Sequence, residues 1–267
     1  MKFHAAIVQM DTTNDWKKNK YIIENYVKEA VKQGADYIQF PETVEYIGKN
    51  LHGFAEEKSV EVKKFFADLA GTYGIYLNCG SITEAQNGKK PRNTALFFAS
   101  DGRLLDKYSK LHLFDVDVTE GPSYKESAGI EAGSKIAAVD TELGTFGLSI
   151  CYDLRFPELY RSLALEGAQL LCVSANFTKP TGIDHWKPLL LARAIENTCF
   201  VLAAGQCGQK PKFEAYGHSM VIDPWGRILM EMSEEPEMEI VEIDTARIEE
   251  VRKQLPCLAN RRTDIWR

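Results

Sequence analysis

Apolar positions along this chain follow two periods that take turns, a two-residue alternation and a three-to-four-residue spacing. Phe3 to Gln9 alternates like a strand. Trp16 to Lys32 then carries Tyr21, Ile22, Tyr26, Val27, Ala30 and Val31 at helical spacing, with Asn14 as cap and Gly34 as stop. Tyr37 to Phe40 is a short second strand that ends at Pro41-Glu42. Ser59 caps a helix bearing Val62, Phe65, Phe66, Leu69 and Tyr73, closed by Gly74. Three strand runs follow, Ile75 to Ile82, Asn93 to Phe98 and Leu104 to Ser109, the last two joined by the turn Ser100-Asp101-Gly102. From Leu111 to Gly133 neither period is visible, and a connection that long is usually functional or mobile.

Beyond it, Ile136 to Asp140 and Thr145 to Cys151 pair around Leu143-Gly144. A helix from about Pro157 to Glu166, a strand from Leu170 to Ser174, a helix from about His185 to Asn197 and a buried strand from Phe200 to Ala204 come next. His218 to Ile222 and Ile228 to Met232 flank the turn Asp223 to Gly226; Glu239 to Ile243 is the last strand and Thr245 to Gln254 the last helix. The basic tail, Leu255 to Arg267, is expected to be loose on its own. Strands and helices alternate without a linker, a repeat or a composition break. The pattern predicts a single α/β domain over residues 1–267, with two sheets packed together under helical layers.

A net charge of −6 argues against a general nucleic-acid partner or an anionic membrane surface, both of which want a basic face. No apolar run is long enough to span a bilayer, and Met1 to Met10 lacks a signal-peptide cleavage site. None of the six cysteines forms a CxxC pair, which argues against a zinc site of the usual spacing. Cys79, Cys172 and Cys199 lie in or beside apolar runs and read as core, and a reducing cytoplasm is the expected compartment.

Three ionisable residues share one setting, each just past the end of an apolar strand: Glu42, Lys110 and Cys151. In open α/β sheets the ligand crevice lies beyond the carboxyl ends of strands, so the three can converge. A thiol needs help to ionise at neutral pH; a carboxylate can take its proton, and a lysine can hold a developing oxyanion. The amide of Tyr152, opening a helical turn, offers a second oxyanion donor. Taken singly, each residue has a plainer reading: a small buried cysteine, a strand-end cap, a solvated lysine. A Cys–His pair with His112, His185 or His218 as base is an alternative.

Phe40-Pro41-Glu42, Tyr108 to Asp115 and Ile150 to Glu158 resemble the three signature blocks of the nitrilase superfamily of carbon–nitrogen hydrolases, in order and spacing, and Asn260 to Asp264 resembles its usual ending. The resemblance implies an αββα sandwich, with Glu42 as general base, Lys110 as oxyanion stabiliser and Cys151 as nucleophile. It implies no metal or organic cofactor. A further loop glutamate orients the lysine in many members; Glu126 is the positional match, with Glu120 and Glu131 as competitors. Homodimers or higher homo-oligomers are common in the family, so residues 255–267 are expected to pack on a partner subunit.

Tyr152 to Glu158, Thr181 to Trp186 and Ala203 to Gly208 resemble the ω-amidase and deaminated-glutathione amidase branch rather than the nitrilases or the carbamoyl hydrolases. The expected substrate is a small carboxylate-bearing amide, hydrolysed through a Cys151 thioester with release of ammonia. Arg155 can bind a carboxylate with paired hydrogen bonds, or form an internal ion pair with Asp153 or Glu158. In this branch the positions of Arg155, Tyr152, Tyr46, Phe177 and Thr181 are implicated in the site. Glu158 itself reads as a buried structural partner. One departure is Ser174-Ala175-Asn176-Phe177, where the branch more often has Pro-Ser-Ala-Phe; it alters the pocket wall.

Overall fold

The structure is a computed structural model and describes residues 1–117 and 123–265. Its first half contains β1 (Lys2–Gln9), α1 (Trp16–Lys32), β2 (Tyr37–Gln39), α2 (Leu51–Tyr73), β3 (Tyr76–Asn78), β4 (Ile82–Gln86), β5 (Lys89–Phe98) and β6 (Leu104–Ser109). A two-stranded ribbon, β7 (Asp115–Val116) and β8 (Tyr124–Lys125), lies in the aperiodic connection. Then come β9 (Ala138–Thr141), β10 (Gly144–Ile150), α3 (Pro157–Leu165), β11 (Leu170–Ala175), α4 (Lys179–Asn197) and β12 (Phe200–Gly205). The ribbon β13 (Cys207–Gln209) and β14 (Glu214–Tyr216) precedes β15 (Met220–Ile222), β16 (Ile228–Glu231), β17 (Glu237–Asp244) and α5 (Ala246–Gln254).

One sheet runs β17-β1-β2-β3-β5-β4 with β6 added on β5; the other runs β16-β15-β12-β11-β10-β9. Each has a parallel centre, β1–β2–β3 and β10–β11–β12. The alternation along β1 explains the layers: Ala5 and Ile7 belong to the core between the sheets, while Ala6 and Val8 belong to the core under α1 and α2. Between the sheets, Phe146 packs on Tyr37 and Phe97 with ring centroids 4.8 and 5.0 Å apart. Gln39 is buried there, and its amide donates to the carbonyls of Val173 and Leu202 on the facing sheet. On the far side Leu159 and Leu163 of α3 and Leu190 and Ala194 of α4 cover the second sheet. The order is helix, sheet, sheet, helix: an αββα sandwich.

Several boundaries differ from the sequence reading. Asp15, not Asn14, caps α1, accepting from the amides of Lys17 and Lys18. Ser59 is a buried residue inside α2, which begins two turns earlier at Leu51 behind the Asn50 cap; the ring of Phe54 stacks on Tyr46 at 4.4 Å and gives those turns a tertiary anchor. Residues 75–82 are not one strand but β3 and β4, broken at Gly80. Gly80 has φ +75°, and a Cβ there would overlap the carbonyl oxygen of Pro41. α4 starts at Lys179 rather than His185: Thr178 holds the N-cap position in extended backbone, without a side-chain cap bond, and Pro180 fits a first turn. Among the described residues no helix is long and apolar enough to cross a membrane.

Candidate active site

The ends of β2, β6 and β10 deliver Glu42, Lys110 and Cys151 to one cavity of about 270 Å³. Two of these deliveries use left-handed backbone that L-residues rarely adopt: Cys151 has φ +48° and Thr43, next to Glu42, has φ +50°. Such strain costs on the order of 1–3 kcal/mol and persists only where its surroundings impose it. At Thr43 the amide donates to Ser81 Oγ and the hydroxyl to the Glu42 carbonyl. At Cys151 a strand turns sharply into a short helical segment, which throws the thiol into the cavity.

Lys110 is 2% exposed and bridges two carboxylates: its Nζ lies 3.1 Å from Glu42 Oε1 and 2.9 Å from Glu126 Oε2. Glu126 Oε2 also accepts from the amide of Phe114 at 2.6 Å. Of the competing loop glutamates, Glu131 pairs with Arg92, and Glu120 lies outside the described residues. Glu42 Oε1 takes a second bond from Asn93 Nδ2 at 2.8 Å, whereas Oε2 takes one, from the Asn176 amide at 2.8 Å. A carboxylate oxygen offers about two acceptor sites, so Oε2 is the oxygen left able to take a proton.

Burial pushes the Cys151 thiol well above its ordinary range; the nearby Glu42 charge adds to this, and Lys110 opposes it. Burial would lower the lysine, but the charges of Glu126 and Glu42 overcome it and hold Lys110 protonated well beyond its usual range. The site therefore rests as neutral thiol and ammonium. A proton must leave sulfur as the thiol attacks, and a base beside it is a requirement.

Asp153, fully buried, ties the lysine strand to the cysteine strand. Its Oδ2 accepts from Tyr108 Oη at 2.7 Å and the Ile150 amide at 3.0 Å, and its Oδ1 from the His112 amide at 3.1 Å. It thus holds residues on both sides of Lys110 and the residue before Cys151. Sequence reasoning considered Asp153 only as a partner for Arg155.

Arg155 pairs with neither Asp153 nor Glu158 in the described ion pairs. It lines the cavity with its guanidinium 5.2 Å from the Phe177 ring and 5.9 Å from Tyr152, and donates to His185 Nδ1 at 3.1 Å. Glu158 is exposed in the first turn of α3, where its charge suits the helix N-terminus, and not buried as expected. Tyr46, Tyr152, Phe177 and Thr181 all line the cavity. The three candidate histidines do not: His112 sits on Asp153 and stacks on Phe156, His185 serves Arg155, and His218 lies by Tyr216 and Glu234. Asn93 and Asn176 were missed as partners of Glu42. Asn93 sits mid-strand and Asn176 acts through its backbone, so neither carries a sequence signal for this.

A buried thiol, carboxylate and lysine at the joint edge of two sheets have the chemistry of a thiol hydrolase. The chain belongs to the carbon–nitrogen hydrolase family, whose profile matches residues 4–253. It is similar to the deaminated glutathione amidase of Synechocystis, 40% identical over 264 residues that cover 96% of this chain and 97% of that protein. It is also similar to omega-amidase NIT2 of Mus musculus, 36% identical over 267 residues covering 99% and 96%. The crystal structure of the C. elegans NitFhit protein superposes with a TM-score of 0.94 at 38% identity, covering 100% of this chain and 66% of that longer one. The chain is an enzyme of this family.

Proposed function

We propose that the protein is a thiol amidase for a small carboxylate-bearing substrate, deaminated glutathione or an α-keto acid ω-amide such as α-ketoglutaramate. The observation that carries this is Arg155: a guanidinium facing the same cavity as Cys151, with no acidic partner among the described residues. An anionic substrate supplies the missing charge, and guanidinium–carboxylate pairing is geometrically specific.

The steps follow from the geometry. Glu42 Oε2 takes the thiol proton as Cys151 Sγ attacks the amide carbon. The tetrahedral oxyanion is held by Lys110 Nζ and the Tyr152 amide. Glu42 returns the proton to the leaving nitrogen, the C–N bond breaks, and a thioester forms on Cys151. With an ω-amide the leaving group is ammonia. With deaminated glutathione, whose acyl chain is joined through a substituted amide, it is an amine. Water then gives a proton to Glu42 as its oxygen attacks the thioester carbon; the C–S bond breaks, the acid is released, and Glu42 returns the proton to Cys151 Sγ. Glu126 keeps Lys110 charged and aimed throughout.

The test is a substrate panel, α-ketoglutaramate, deaminated glutathione, a carbamoyl amino acid and a nitrile, assayed with the parent and with Arg155→Leu. The reading expects turnover of one of the first two, and a rise in KM of about 10-fold or more without Arg155. Preferential consumption of the carbamoyl compound or the nitrile would displace it.

We also propose a reducing, cytoplasmic setting and a homo-oligomer. Free cysteines at all six positions support the first. Leu255 and Ile265, each about half exposed in the single chain, support a tail that covers a partner. Light scattering on a chain ending at Gln254 should read a smaller assembly than the parent; an unchanged mass would refute the tail's role.

A further inference from the structure

The cavity has a second cation that the proposed steps leave unused. Lys212, at the tip of the β13–β14 ribbon, lines it with Nζ 5.6 Å from the ring centroid of Tyr124, another lining residue. Charges along the wall are unevenly matched. Both carboxylates, Glu42 and Glu126, are bonded to Lys110, and Lys125 faces Asp115 across the β7–β8 ribbon. Arg155 and Lys212 are left without an acidic partner among the described residues. In a chain of net charge −6, a cavity whose unmatched charges are both positive draws anions locally, against the repulsion of the whole.

The tip that carries Lys212 is fastened to the site. The Lys210 amide donates to the carbonyl of Phe213 at 2.7 Å, and its buried Nζ donates to Asp11 Oδ1 at 2.6 Å and Gln206 Oε1 at 3.2 Å. Gln206 in turn donates to the Glu42 carbonyl at 2.9 Å. Phe213 packs its ring across Tyr124, with centroids 5.9 Å apart. An ammonium resting on an aromatic face keeps N–H donors for a carboxylate.

The two cations serve different parts of a substrate. Arg155 ends the short helical segment that begins at Cys151, so an acyl chain on the sulfur keeps its carboxylate near that guanidinium. Phe114 stands between the cations: its ring lies 5.1 Å from Tyr152, beside Arg155, and 5.4 Å from Tyr124, beneath Lys212. Arg155 takes the carboxylate of the acyl chain. One for Lys212 has to come from beyond the scissile bond.

Resting on the amidase reading, we infer that Lys212 is a specificity-determining residue that binds a second carboxylate, carried on the leaving amine. The substrate class is then an N-substituted amide with an acidic group on each side of the bond to be cut. Deaminated glutathione, which ends in a glycine carboxylate, has this form; α-ketoglutaramate, which releases ammonia, does not.

The experiment takes parent, Lys212→Ala and Lys212→Arg proteins and compares deaminated glutathione with the same molecule whose glycine carboxylate is converted to the carboxamide. The acyl chain is the same and the size nearly so, and the ratio of the two kcat/KM values reads the distal charge. The parent should prefer the carboxylate by about fivefold or more, through KM; Lys212→Ala should bring the ratio to about one, and Lys212→Arg should keep it. A parent without that preference, a preference unchanged in Lys212→Ala, or turnover of α-ketoglutaramate with neither longer substrate would overturn the assignment and leave the amidase reading intact. A parent that hydrolyses none of these amides would overturn both.

Discussion

At the scale of single residues, the site depends on how Glu42 divides its two oxygens. Oε1 is saturated by Lys110 and Asn93, and Oε2, bonded by the Asn176 amide alone, keeps an acceptor site. Asn93 therefore acts as a positioning residue. A hydrogen bond to a charged group is worth about 1.5–3 kcal/mol, so Asn93→Ala should lower kcat by about 10- to 100-fold with little change in KM. Steady-state kinetics on the preferred amide check this, and a variant with parental kcat would show that Glu42 needs no such support. The sequence made Glu42, Lys110 and Cys151 visible because each follows a strand with a chemistry its neighbours complete. It could not show Asn93, an ordinary polar residue in a long strand. Nor could it show the bond from Asn176, because every residue but proline has an amide and only the fold says where it points.

At the scale of elements, the geometry is held by turns rather than by the strands themselves. Asp153 gathers Tyr108, Ile150 and the backbone of His112 around one buried carboxylate. Asp153→Ala would leave two buried donors, Tyr108 Oη and the Ile150 amide, and the part-buried His112 amide without their acceptor, at about 1–3 kcal/mol for each buried one. It should lower the melting temperature by several degrees and reduce kcat even at temperatures where the protein is folded. A variant with parental melting and activity would remove Asp153 from the account. Elements with strong periodicity were legible almost to their ends: α1 is Trp16–Lys32 in both readings, and β6 is Leu104–Ser109 in both. The misses have tertiary causes. The start of α2 rests on Phe54 against Tyr46, and the break at Gly80 on a close approach to Pro41. The ribbon strands β7, β8, β13 and β14 are too short to show a period at all.

At the scale of the whole molecule, the αββα sandwich buries five of its six thiols, and that has a cost at high pH. Burial raises Cys172 and Cys207 to about 12 and Cys199 to about 11. Unfolded thiols titrate near ~8.5. Each folded value lies above its unfolded one, so the stabilisation is complete below the unfolded value and is lost as pH rises from there through the folded values. Lys110, also raised, acts in the same direction at higher pH. The melting temperature should fall steadily from about pH 8.5 to 11; a flat or rising profile over that window would contradict the burial argument. Catalysis rests on one atom, the Sγ of Cys151, and removing that atom is the test. Product release from the amide that the parent turns over best should drop to the rate of the buffer blank in Cys151→Ala, with melting behaviour unchanged. A Cys151→Ala protein that keeps amidase activity within tenfold of the parent would contradict the thiol mechanism.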